Sequence, residues 1–79
     1  MNKQIYCYHG KEDQHKDAFL HLSDAEIKKH KLLVNAIVAT GVIRLDEPGD
    51  YAVEVQDNNS IMVFFNKELI GVFVPASIN

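Results

Sequence analysis

In the stretch SDAEIKKHKLLVNAIVATG, Asp24, Lys28, Lys31 and Asn35 fall on one narrow polar stripe when the residues are placed on a helical wheel at about 100° each. Apart from Ser23, Glu26, Lys29, His30 and Thr40, everything else in the stretch is apolar or glycine. Ile27, Val34, Ile37 and Val38 form one face, Leu33 widens it, and Ala25, Leu32 and Ala36 continue round the other side. The spacing predicts one helix over residues 24–40. Its start is marked by a capping box, with Ser23 able to accept from a first-turn amide while Glu26 reaches back to the Ser23 amide, and by Leu22 and Ile27 as a hydrophobic staple. Gly41 supplies the left-handed residue that closes such a helix. An apolar arc this wide must bury more than one flank, against the N-terminal segment or against a second copy of the chain.

Beyond Gly41 the period changes from helical to alternating. VIRL reads as extended and DEPGD as a turn, since Pro48 fixes its own torsion and Gly49 accepts a positive one. YAVEVQD alternates, with Tyr51, Val53 and Val55 on one face and Ala52, Glu54 and Gln56 on the other. SIMVFF and ELIGVFV are apolar on both faces, as expected of strands covered on each side or lying at an association surface. Asn58-Asn59 and Asn66-Lys67 suit tight hairpin turns, because asparagine tolerates positive torsions, and Pro75 ends the last strand. QIYCYH is a candidate fourth strand. Residues 11–22 fit either a short helix or a loop followed by a short extended run. The expected fold is α+β, one long helix packed on a three- to four-stranded antiparallel β-meander, in a single domain over residues 1–79.

Composition adds class and compartment. The 79 residues are 47% hydrophobic, which suits a folded domain and not a disordered one. No run approaches the roughly 18 apolar residues of a membrane span, and the opening MNKQIYCYHGKEDQ lacks the apolar core of a secretory signal, so the whole chain is expected to be the mature protein. One cysteine permits no internal disulfide, which favours a reducing, cytoplasmic setting. Asn58-Asn59-Ser60 fits the glycosylation pattern, but without an export signal it reads as turn chemistry.

The net charge is −3, unevenly spread. Asp46, Glu47, Asp50, Glu54 and Asp57 follow one another with no lysine or arginine between them, whereas KKHK at residues 28–31 is basic. Segregation of this kind creates local potentials that orient a charged partner.

Three kinds of site compete for these residues. Cys7, His9, His15 and His21 are ligand types that zinc and copper prefer, but the gaps between them do not follow the usual paired spacings; only Cys7 and His9 would share a strand face. His30 lies inside the apolar arc of the helix, where a buried neutral imidazole would make the fold acid-sensitive. Lys28 and Lys31 with Arg44 could contact phosphates, but a sequence pI of about 5.7 is the reverse of a nucleic-acid binder's footprint. No nucleophile motif, phosphate loop or metalloprotease motif is present, so the chain is expected not to be an enzyme and to carry no cofactor. The sequence favours a protein-binding module, an inhibitor or accessory regulator, acting through an acidic and apolar surface. Its expected contacts are the carboxylates Asp46, Glu47, Asp50, Glu54 and Asp57 with Phe64, Phe73 and Tyr51 as aromatic anchors. The expected partners are another protein and a second copy of the chain in a homodimer, with nucleic acid less favoured and no membrane.

Overall fold

The computed structural model describes residues 3–10 and 17–76. Seven elements follow in order: β1 (Lys3–Gly10), β2 (Phe19–Ser23), α1 (Asp24–Ile27), α2 (His30–Thr40), β3 (Tyr51–Val55), β4 (Ile61–Phe65) and β5 (Glu68–Pro75). The five strands form one antiparallel sheet in the order β2-β1-β5-β4-β3, curled into a half-barrel. The expected fold of one long helix on a meander is therefore corrected: the sheet is larger, and no long helix is present among the described residues.

The helix breaks for a packing reason. The capping box forms as expected, Glu26 N–H donating to Ser23 Oγ at 3.2 Å and Ser23 N–H to Glu26 Oε1 at 3.0 Å. After Ile27 the chain opens at Lys29, which is extended at φ −103° and ψ 100°. Carried on unbroken, the helix would hold Ile27 about 120° round the axis from Leu33. The break re-aims the second piece, so that Ile27, Leu33 and Ile37 all enter one core. Lys28 and Lys29 stay exposed at the break, and α2 closes on Gly41 at φ 89°, as the sequence implied.

His30 opens α2 and is exposed. Its expected place in an apolar interior is corrected, and with it the acid sensitivity that burial would have caused. Leu32, at the edge of the wide apolar arc, also remains 46% exposed.

The stretch 11–22 yields a fifth strand that the sequence left undecided; its loop portion, residues 11–16, lies outside the described residues. β2 alternates as a half-covered strand should, Phe19 and His21 outward, Leu20 and Leu22 inward. It pairs with β1 in the register Cys7 to Phe19 and Ile5 to His21, and β1 lies between β2 and β5. The N-terminal third thus extends the sheet sideways. VIRL is not a strand: Val42 and Ile43 plug the core from irregular backbone, while Leu45 is 79% exposed.

The meander of β3, β4 and β5 is as expected, as are its turns. Asn66 and Lys67 adopt φ 51° and 69°, the paired positive torsions of a tight hairpin, and Asn59 adopts φ 67°. Tyr6, Tyr8, Leu20, Leu22, Ile61, Val63 and Phe73 line the inner, concave face of the sheet and pack with the helix residues into one core.

Candidate functional site

Because strand side chains alternate, filling the concave face leaves the other half of each strand on the convex face. Register places these outward residues in rows across the sheet. One row runs Phe19, Cys7, Val74; the next runs His9, Val72, Met62, Glu54; Phe64 lies between Ala52 and Leu69. Among the described residues both helices pack on the concave side, and Phe19, Leu69 and Val74 are 51%, 40% and 37% exposed. The two-sided apolar character of β4 and β5 therefore has one face in the core and the other at the surface.

The acidic segment lies at one end of this sheet. Arg44 Nη2 approaches Asp46 Oδ2 at 3.3 Å and Arg44 Nη1 approaches Glu47 Oε1 at 3.3 Å. The Asp46 hydrogen bond first, then the charges of both carboxylates, hold the guanidinium even more firmly protonated than usual. The Tyr51 hydroxyl points at Glu47 Oε2 from 3.5 Å, and its ring packs against Phe65 with centroids 4.7 Å apart. Gly49 fits beneath that Phe65 ring, where a Cβ would collide with it. The loop into β3 is thus pinned, and Asp50 enters it with its N–H on Asn66 Oδ1 at 2.9 Å.

Of the five carboxylates, Asp46 and Glu47 share the single charge of Arg44, while Asp50, Glu54 and Asp57 are exposed and have no cation against them among the described residues. Among the expected aromatic anchors, Phe64 faces outward and Tyr51 is half-buried beside the acidic loop. Phe73 is fully enclosed in the core and takes no part in a surface. Val72 and Met62, outward residues at the centre of the convex face, were not singled out by sequence; strands apolar on both faces were the signal that held them, and His9, singled out only as a candidate metal ligand, lies beside Val72 in the same row.

The other candidate residues scatter. Arg44 is held by Asp46 and Glu47, whereas Lys28 lies in the helix break and Lys31 in the first turn of α2, both exposed. Cys7 and His9 do share the outer face of β1, with His21 across from Ile5, but no group of three or more His, Cys, Asp or Glu residues among the described ones is placed to hold a metal ion. His15 lies outside the described residues.

A cleft of about 410 Å³ runs between β2 and α2, lined by Phe19, Leu20, His21, Ala36, Ala39 and Thr40 among others. The Thr40 hydroxyl is committed to the helix end, donating to Ile37 O at 2.6 Å and accepting from Val42 N–H at 3.3 Å. No helix among the described residues is long and apolar enough to cross a membrane.

No family model, no curated protein and no solved structure matches this chain.

Proposed function

We propose that the chain is a non-enzymatic protein-binding module of a reducing, cytoplasmic compartment, an inhibitor or accessory regulator that presents the convex face of its half-barrel and the adjoining acidic end to another protein. The observation that carries this reading is the row of apolar side chains on the convex face, from Phe19 through Cys7 to Val74 and from Val72 to Met62, with no described element packed over it. Contiguous apolar surface on a folded domain marks an interaction site, and apolar centres with charged rims are how such sites are built. Asp50, Glu54 and Asp57 supply the rim and would steer a basic partner toward it.

The test is affinity capture from native extract by the wild-type chain and by a Phe64→Lys, Val72→Lys variant shown to be folded. A partner retained by the first and lost by the second supports the reading. Equal recovery by both, or no reproducible partner, overturns it. Light scattering at the same concentrations separates a second copy of the chain from a different protein as what covers the face.

A further inference from the structure

A half-barrel that does not close leaves two strands at its margins, β2 and β3. Each such edge carries main-chain groups that another strand can take up. At β2, α2 stands beside the strand across the cleft that Phe19, His21, Ala36 and Ala39 line. At β3 no described element intervenes.

Which groups of β3 are unmet follows from the hydrogen bonds at its two ends. Asn66 N–H donates to Asp50 O at 2.8 Å and Gln56 N–H donates to Ser60 O at 2.8 Å, and the register between these points is unbroken. In an antiparallel pair the bonding direction alternates, so Asp50, Ala52, Glu54 and Gln56 turn their main chain toward β4. Tyr51, Val53 and Val55 turn theirs outward, and among the described residues no backbone hydrogen bond meets them there. The side chains of the same residues face the concave side. Val53 is half-buried and Val55 39% exposed, so the core thins out where a further strand would lie.

We propose that β3 is the docking site for an extended, basic segment of the partner protein, which adds to the half-barrel as a sixth strand. This rests on the protein-binding function above and names the partner's chemistry. A strand added to β3 presents its side chains alternately to the two faces. Those on the concave side meet Tyr51, Val53 and Val55 and must be apolar. Those on the convex side meet Asp50 and Glu54, which have no cation against them among the described residues, and are lysine or arginine. The recognised pattern is therefore basic and apolar residues in alternation, with main-chain bonds supplying affinity and the two carboxylates selecting charge.

Charge also disfavours the simplest rival, a second copy pairing β3 with β3. Centred on Val53, that arrangement sets each Glu54 diagonally beside the other copy's Glu54 and Asp50, with no cation between them among the described residues.

The probe is a short capped peptide of alternating valine and lysine, titrated into the full chain while its amide resonances are followed. Expected are shifts concentrated at Tyr51, Val53 and Val55, at least tenfold weaker binding for the valine–glutamate counterpart, and a severalfold loss on raising salt from 0.05 to 0.5 M. Methylating alternate peptide nitrogens removes the donors that the edge needs and should abolish binding without altering the protein. Glu54→Lys, at an exposed position, should weaken binding tenfold or more while leaving the thermal midpoint unchanged. The inference is overturned by equal binding of the methylated or glutamate peptide, by shifts at β2 or the convex face instead, or by a solution dimer whose interface contains β3. If the natural partner is lost with Val72→Lys yet kept with Glu54→Lys, the convex-face function stands and the edge docking falls.

Discussion

The phenol ring of Tyr8 on β1 lies across Gly71 on β5, filling the space in which a Cβ at that position would sit. The ring packs on Phe73 with centroids 4.9 Å apart, and its hydroxyl donates to Ile70 O at 3.2 Å. Burial raises its pKa above the usual phenol value, with a smaller contribution from Tyr51. Tyr8 and Gly71 thus form one packed unit at the centre of the sheet.

Gly71→Ala is accordingly expected to cost about 1–3 kcal/mol through overpacking, read from urea denaturation. Combining it with Tyr8→Val, which withdraws the ring, should cost less than the sum of the two single changes. Strict additivity in that cycle would show that the ring is not what excludes the methyl group.

Neighbouring positions on β5 give a contrast that tests which face is covered. Phe73 is fully enclosed and Val74 is 37% exposed on the convex side. Phe73→Ala should remove about 3–5 kcal/mol, whereas Val74→Thr should change stability by no more than about 0.5 kcal/mol. A large cost at Val74 in dilute solution would mean that the convex face is sheltered within the single chain.

Much of this sheet was legible in the chain. The meander, its asparagine turns, the first strand and the capping box all follow from local chemistry that the fold then uses. The helix was misjudged because a wheel treats the axis as continuous: the arc from Ile27 to Leu33 looked like one broad face when it was two narrow ones joined at Lys29. β2 was left undecided because five alternating residues, FLHLS, run straight into a capping box and are too few to outweigh a helical alternative. The candidate surface was half visible. Two-sided apolarity in β4 and β5 signalled a second face, but which residues shared it depended on the strand order, and β1 lying beside β5 is a long-range pairing that no local pattern carries.

At the start of α1 the pairing of Ser23 with Glu26 ties stability to pH. The hydrogen bonds from Ser23, backbone first, hold the Glu26 carboxyl below its ordinary range, and Lys3, 3.5 Å away, adds to this. A carboxylate depressed in the folded chain stabilises it above the unfolded value and loses that contribution as the pH falls through the folded one. Stability should therefore decline below about pH 4.3, the ordinary value for glutamate. Glu26→Gln should flatten that part of the profile, and Ser23→Ala should cost about 0.5–2 kcal/mol at neutral pH. An acid limb of the same steepness in Glu26→Gln would assign the effect to other carboxylates.

Two helices in place of one make a different set of side chains costly to remove. With the break at Lys29, Ile27 and Ile37 reach the same interior, at 7% and 0% exposure, while Leu32 stays largely in solvent. Truncating either isoleucine to alanine should cost about 2–5 kcal/mol, but Leu32→Gln should be close to neutral. On a single continuous helix Ile27 would share a face with Val34, Ile37 and Val38 and stay costly to truncate, while Leu32 would continue the apolar arc and become expensive as well, so the cost of Leu32→Gln is what separates the two geometries. Denaturation midpoints of the three variants give these costs, and the secondary Cα chemical shift of Lys29, extended in one case and helical in the other, checks the break directly.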